Sequence, residues 1–322
     1  MRVLLVDVDS KIPNIALMKL AAFHKQDEVK LLRCNYSGYP HDYNPPNVRG
    51  IGYDVVYVSS IFTVNKDINV IGCNNVKFGG TGISLTKCLP QEIDDLPEDY
   101  SIYPDNTSSY GFITRGCIRN CPFCFVPQKE GKIYLYRKWQ DVVKHKTTYF
   151  LDNNFLAYDG HIDILNDLVK YNIRCQFNQG LDIRLLIDDN AKLLSEMNYI
   201  GEYIFAFDDC HFERAVNIGL QLFRKYEKRT WREKFFVYCD AELHSISDVV
   251  YRVDWCIGNK VLPYLMRNKN CWESNNKDFY IDLAAYCNQP NLVKKMTFAE
   301  YIKKRQPNNI ERQQRSLALY YG

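Results

Sequence analysis

Apolar residues enter this chain as short runs separated by polar punctuation. Residues 2–9, RVLLVDVD, form a β-branched run that predicts a buried strand of a parallel sheet. Pro13 then opens a predicted helix over 14–25, where Ile15, Leu17, Met18, Leu20, Ala21 and Ala22 make a broad apolar face. Residues 28–33 alternate as a second strand. A loop rich in Pro, Gly, Asn and Tyr is expected over 36–49, a third strand over 53–62 (YDVVYVSSIF), and a short fourth over 75–78. This alternation predicts a small Rossmann-like open-sheet domain over residues 1–86. The Gly79-Gly80-Thr81-Gly82 that follows lacks G-x-G-x-x-G spacing and does not clearly open a helix, so it reads as a tight turn, with a phosphate site as the lesser alternative.

Residues 87–108 are rich in proline and acidic side chains and read as an ordered linker, tethered by Ile93, Leu96, Tyr100 and Tyr103. From residue 109 to 290 the pattern becomes strand then helix, repeated. Strands are expected over 111–114, 147–151, 173–177, 203–207, 235–238 and 261–266. Helices are expected over 139–145, 159–170, 188–197, 212–226, 247–256 (capped by Ser247) and 278–287. Serial strand–helix units give an α/β fold, here a curved parallel sheet or partial barrel. Such sheets place ligands at the carboxyl ends of their strands. Residues 291–322 read as a basic, solvated helical tail.

Composition narrows the functions. The chain has 322 residues, 46% hydrophobic, enough for a sizeable core in one or two domains. Its 41 Lys and Arg nearly balance its 38 Asp and Glu, so bulk charge selects neither nucleic acid nor an anionic membrane. The basic tail keeps a nucleic-acid partner open. The first residues carry aspartates within a short apolar run, unlike a secretory signal. No apolar run reaches the roughly eighteen residues of a membrane span. Twelve cysteines in such a chain suggest a reducing cytoplasm.

Three of those cysteines, Cys117, Cys121 and Cys124, stand in a C-x3-C-x2-C array within SYGFITRGCIRNCPFCFVPQKEG. Three thiolates on one loop can hold three irons of a [4Fe–4S] cluster, which usually has four cysteine ligands, and leave one iron open. Ile118, Phe123, Phe125 and Val126 are placed to keep water off such a cluster, and Arg115 and Arg119 to offset its charge. Structural zinc is the competing reading, but it favours four ligands in pairs and no second C-x2-C exists. Apolar core packing is the other.

The array, with Phe123 before the third cysteine and a strand before the loop, resembles the signature of the radical S-adenosylmethionine superfamily. The resemblance implies a partial (β/α)6 barrel over about residues 108–290. It also implies that Cys117, Cys121 and Cys124 bind a [4Fe–4S] cluster whose open iron chelates S-adenosylmethionine, with a low-potential electron donor of flavodoxin or ferredoxin type. One-electron cleavage then gives a 5′-deoxyadenosyl radical that abstracts hydrogen from a substrate. The first domain resembles the cobalamin-binding-like domain preceding many such barrels. It lacks the D-x-H-x-x-G motif that supplies the cobalt ligand, which argues against cobalamin.

The expected strand ends supply further candidates. Asp152, Asn153 and Asn154 stand where the family holds the methionine amine, although LDNN departs from the usual G-G-E-like segment. Gln179, Asp182 and Arg184 form a dense polar group, in which Arg184 either forks to the methionine carboxylate or pairs locally with Asp182. Asp208 and Asp209 either hold ribose hydroxyls or cap the next helix, and Arg267 could meet an anionic substrate group. A cobalamin-assisted methyltransferase, a nucleoside or nucleic-acid modifier and a non-catalytic cluster protein remain alternatives.

Overall fold

The computed structural model describes residues 1–34 and 47–322. The loop expected over 36–49 lies outside these residues up to position 46; its last three residues form a strand. The fold is α/β with parallel sheets, and the chain divides into two compact units, Met1–Tyr149 and Phe150–Gly322.

The first unit is built on β1 (Arg2–Asp7), β2 (Glu28–Arg33), β3 (Asn47–Arg49), β4 (Val55–Ser59), β5 (Asn69–Ile71) and β6 (Val76–Gly79). A four-stranded parallel sheet runs β2-β1-β4-β6, while β3 and β5 form a separate parallel pair. β1 lies at its centre, with Val3 opposite both Val29 and Val55. Its two faces enter different cores. Val3 and Leu5 pack with Leu17, Leu20 and Ala21 of helix α1 (Ile15–Phe23), and Leu4 and Val6 pack with Val48, Val56 and Ile68. Burial on both faces is why the run shows no alternation. Asn14 caps α1 by accepting the Leu17 N–H at 3.2 Å.

Aspartates close the carboxyl edge of this sheet. Asp9 accepts the N–H groups of Ile61 (2.7 Å) and Phe62 (3.0 Å), the Asn65 amide (2.9 Å) and the Ser60 hydroxyl (3.1 Å). Gly80 has φ +95°, and a Cβ there would fall 2.2 Å from the Ser60 carbonyl oxygen, so the GGTG segment is a turn packed against the end of β4. Residues 87–108, expected as a linker, lie within the first unit. Their helix α2 (Gln91–Asp94) inserts Ile93 into the β1–α1 core, and the Tyr103 hydroxyl donates to Asp7 at 2.9 Å. The unit continues through β7 (Ser108–Gly111), β8 (Thr114–Arg115), α3 (Val126–Glu130), β9 (Tyr134–Leu135), α4 (Trp139–Val142) and β10 (Thr147–Phe150), where the division falls.

The second unit carries α5 (His161–Lys170), β11 (Cys175–Phe177), α6 (Asp188–Glu196), β12 (Tyr203–Ala206), α7 (Glu213–Phe223), β13 (Glu233–Cys239), α8 (Ile246–Gly258) and β14 (Leu262–Arg267). β12, β13 and β14 form a parallel sheet in that order, with Ala206 opposite Phe236 and Cys239 opposite Arg267. Aromatic rings fill the layer beneath it: Phe205 lies 5.5 Å from Phe235, which lies 5.3 Å from Trp255 of α8. Ser245, not Ser247, caps α8, accepting the Asp248 N–H at 3.1 Å. Ser247 sits inside the first turn, its hydroxyl 2.9 Å from that of Ser245.

After α9 (Asn270–Glu273) and α10 (Lys277–Cys287) come α11 (Pro290–Val293), α12 (Phe298–Arg305) and α13 (Ile310–Tyr321). The tail is packed, contrary to the solvated helix expected: Phe298, Tyr301, Ile302 and Tyr320 are buried. Two of its arginines, Arg305 and Arg312, each reach the fully buried Asp282 of α10 at 2.8 Å. No helix among the described residues is long and apolar enough to cross a membrane.

Removing the Asp9 carboxylate leaves its buried donors without an acceptor. Asp9→Ala is expected to destabilise the first unit by about 3 kcal/mol, read as a lower urea midpoint.

Candidate functional site

The three-cysteine loop belongs to the first unit and is fixed at its neck. β8 and β9 form an antiparallel two-residue ladder, Thr114 opposite Leu135 and Arg115 opposite Tyr134. The Glu130 carboxylate bridges the loop's two ends, pairing with Arg115 at 2.8 Å and accepting the Gly116 N–H at 3.0 Å. The Cys117 N–H donates to the Gly131 carbonyl at 3.1 Å. Gly116 has φ +81°, and a Cβ there would sit 2.2 Å from the Lys132 carbonyl oxygen, so only glycine fits the turn that delivers Cys117. Within the loop, the Cys124 N–H donates to the Cys121 carbonyl at 3.0 Å and the Arg119 N–H to the Cys117 sulfur at 3.3 Å.

All three cysteines are half-buried, as is Phe123. Val126 is buried, whereas Ile118 and Phe125 are exposed, so the apolar shield expected from these four is only partly in place. The guanidinium of Arg115 lies over the Phe112 ring at 4.2 Å, between the strand and the loop. Lys129 donates to the Thr81 hydroxyl at 2.6 Å, tying α3 to the GGTG turn, and burial lowers its ammonium pKa. Residues 116–125 hold three thiols and no His, Asp or Glu, a donor set that suits soft iron–sulfur chemistry. Among the described residues, no group of three or more His, Cys, Asp or Glu side chains is assembled as a ready-made metal site.

The remaining candidates lie in the second unit. Asp152 and Asn154 are buried and Asn153 half-buried. Gln179 is exposed. Arg184 takes the local pairing: its Nε and Nη2 fork onto Asp182 at 2.7 and 2.9 Å, and its guanidinium lies over the Phe212 ring at 4.6 Å. Asp209 accepts the His211 N–H at 2.8 Å and so caps the short helical turn Cys210–Phe212 ahead of α7, close to the capping alternative weighed for it. Arg267 lies over the Trp272 ring at 4.0 Å.

Asp208 follows β12 and accepts the Tyr238 N–H at 3.0 Å. Burial raises its carboxyl pKa to about 6, although that amide, Arg252 and Arg184 oppose the shift. The matching carboxylate beyond β13 is Asp240. Burial opposes its charge, but the Glu242 N–H and the Asn270 amide bind it and hold its pKa below the ordinary range. Asn268, one residue past β14, donates to both the Tyr238 hydroxyl and Asp240, each at 2.6 Å. Fully buried Arg252 of α8 clasps the ends of β12 and β13, donating to the carbonyls of Phe207 (3.2 Å) and Tyr238 (2.8 Å).

Sequence reasoning missed Tyr238, Asp240, Asn268, Asn270 and Arg252. The rule that found Asp208 would have found Asp240, had β13 been carried one residue further. Arg252 gave no such signal, because it lies inside a helix pattern. No protein-family model matches this chain, and no curated protein matches it.

Gly116→Ala should abolish iron uptake by the loop while leaving the far-ultraviolet circular dichroism of the chain close to wild type. The Asp208 carboxyl titrates at about 3.9 when unfolded and at about 6 when folded. Its favourable contribution is therefore complete below the unfolded value and lost as pH rises through the folded one. Asp208→Asn should thus gain on wild type by about 2 kcal/mol between about pH 4 and pH 7.5, discounted for part-exposure, measured as the difference in urea unfolding.

Proposed function

We propose that this chain is a radical S-adenosylmethionine enzyme, with a partial (β/α)6 barrel, that cleaves S-adenosylmethionine reductively to a 5′-deoxyadenosyl radical for hydrogen abstraction from a substrate. The observation that carries the reading is the loop Gly116–Gly131. Between Gly116 and Phe125 it offers three thiols and no His, Asp or Glu, and its one carboxylate, Glu130, is engaged at the neck beside a glycine-only turn. Cys117, Cys121 and Cys124 would hold a [4Fe–4S] cluster, which when bound supplies a low-potential electron and one open iron for the amine and carboxylate of S-adenosylmethionine.

The chain's own residues contribute placement and proton control. Arg115, kept beside the loop by Glu130 and the Phe112 ring, offsets negative charge there. In the second unit, Asp240 stays ionised as an acceptor, while Asp208 carries a proton below about pH 6 and can donate. Two carboxyls in different protonation states, at the ends of neighbouring strands, suit a polyhydroxylated or amine-bearing molecule.

Anaerobic reconstitution should load about four irons per chain. Reduction with S-adenosylmethionine should then release methionine and 5′-deoxyadenosine. Cys121→Ala should lose both the cluster absorbance and the product. A stable cluster with no 5′-deoxyadenosine would instead identify an electron-transfer protein, and undiminished product from Cys121→Ala would overturn the ligand assignment.

A further inference from the structure

Most buried cysteines of the second unit behave as small apolar filler. Cys175, Cys256 and Cys287 are buried, and burial pushes each thiol upward. Cys239 and Cys271 differ. Their sulfurs lie 3.7 Å apart, Cys239 as the last residue of β13 and Cys271 in α9. The backbone holds them face to face. The Asn268 N–H donates to the Cys239 carbonyl at 2.7 Å, the Cys271 N–H to the Asn268 carbonyl at 3.1 Å, and the Cys271 thiol to the Cys239 carbonyl at 3.3 Å. Neither cysteine belongs to the C-x3-C-x2-C array.

We infer that Cys239 and Cys271 form a redox-active dithiol that a peroxide oxidises to a disulfide. The sulfurs must close to about 2.05 Å. Cys239 is wholly buried and Cys271 almost so, and the cover that must move for closure and for peroxide entry is α9, a single four-residue turn bordered by Lys269, whose side chain is 83% exposed. The pair is chemically asymmetric. Hydrogen bonding from Cys239 lowers the pKa of Cys271, which makes Cys271 the attacking thiolate, and the same contact raises Cys239.

The Cys271 thiolate attacks one peroxide oxygen and breaks the O–O bond. It becomes a sulfenic acid, and the leaving hydroxide takes up a proton to become water. The Cys239 sulfur then attacks the sulfenic sulfur, forms the S–S bond and expels the hydroxyl as a second water with its own proton. The two sulfurs together lose two electrons, and hydrogen peroxide gains them. A small-molecule dithiol reverses the step, becoming the disulfide itself.

Oxidation would be felt at the strand ends. Closing the bond removes the Cys271 donor from the Cys239 carbonyl. It also pulls on Asn268 and Asn270, the two amides that bind Asp240.

The full chain, treated with hydrogen peroxide, is blocked with N-ethylmaleimide under denaturing conditions and digested without reductant. The expected result is a cross-linked peptide joining Cys239 to Cys271, lighter than its reduced parts by two hydrogen atoms and separated by dithiothreitol. A chain lacking the three thiols of the C-x3-C-x2-C array, Cys117→Ala with Cys121→Ala and Cys124→Ala, should give the same cross-link, which separates this chemistry from any cluster. Cys271→Ser should abolish it, and Cys239→Ala offers a second check if the serine variant folds poorly. Recovery of Cys239 and Cys271 both carrying maleimide, while exposed Cys88 is oxidised, would overturn the proposal, as would either sulfur cross-linked to another cysteine.

Discussion

Parallel pairing in register is the constraint on which both units depend. Parallel strands all end at the same edge, and the loops leaving that edge carry amides with no ladder partner. Here aspartates supply the missing acceptors. Asp9 takes two amides and two side-chain donors beyond β4, and Asp240 takes two amides and three side-chain donors beyond β13. Arg252 does the converse, giving donors to the carbonyls at the ends of β12 and β13. The edge where such folds bind ligands is therefore also the edge that most needs buried polar groups. A carboxylate there is not functional by position alone: Asp9 is fully engaged in holding its loop, whereas Asp208 accepts the Tyr238 amide and carries a pKa raised by burial.

The three-cysteine loop meets its own requirement differently. Its thiols sit on a segment with little regular structure, so precision must come from the neck. One carboxylate, Glu130, satisfies the guanidinium of Arg115 and the amide of Gly116 together, and the positive φ of Gly116 turns the chain toward Cys117. Burial of a paired charge costs solvation, but it fixes a single entry geometry for the segment that carries the three thiols.

Much of the architecture was legible in the sequence because strands and helices differ in apolar period. The run 28–33 is the strand Glu28–Arg33, and most strands of the second unit fall within a few residues of their expected ranges. What escaped were contacts between segments distant in sequence. The short strands Asn47–Arg49 and Asn69–Ile71 exist only through each other, and neither has a period to read. Residues 87–108 look like a linker by composition, yet Ile93 and Tyr103 find partners many residues away. At the candidate site, strand ends pointed to Asp208 but not to Arg252, whose role follows from which carbonyls its helix happens to cross. Arg184 was legible as reactive or local, and its fork closed on Asp182, two residues back.

The carboxy-terminal helices show how a formal charge and an available charge diverge. Asp282 is wholly enclosed and draws Arg305 and Arg312 onto itself, so two of the tail's seven cations are already engaged inside the fold. To a passing polyanion that surface is less cationic than its residue count advertises. Cutting the chain before Arg305 would maroon an anion in the interior, which makes the last two helices the lock on the second unit rather than an appendage to it.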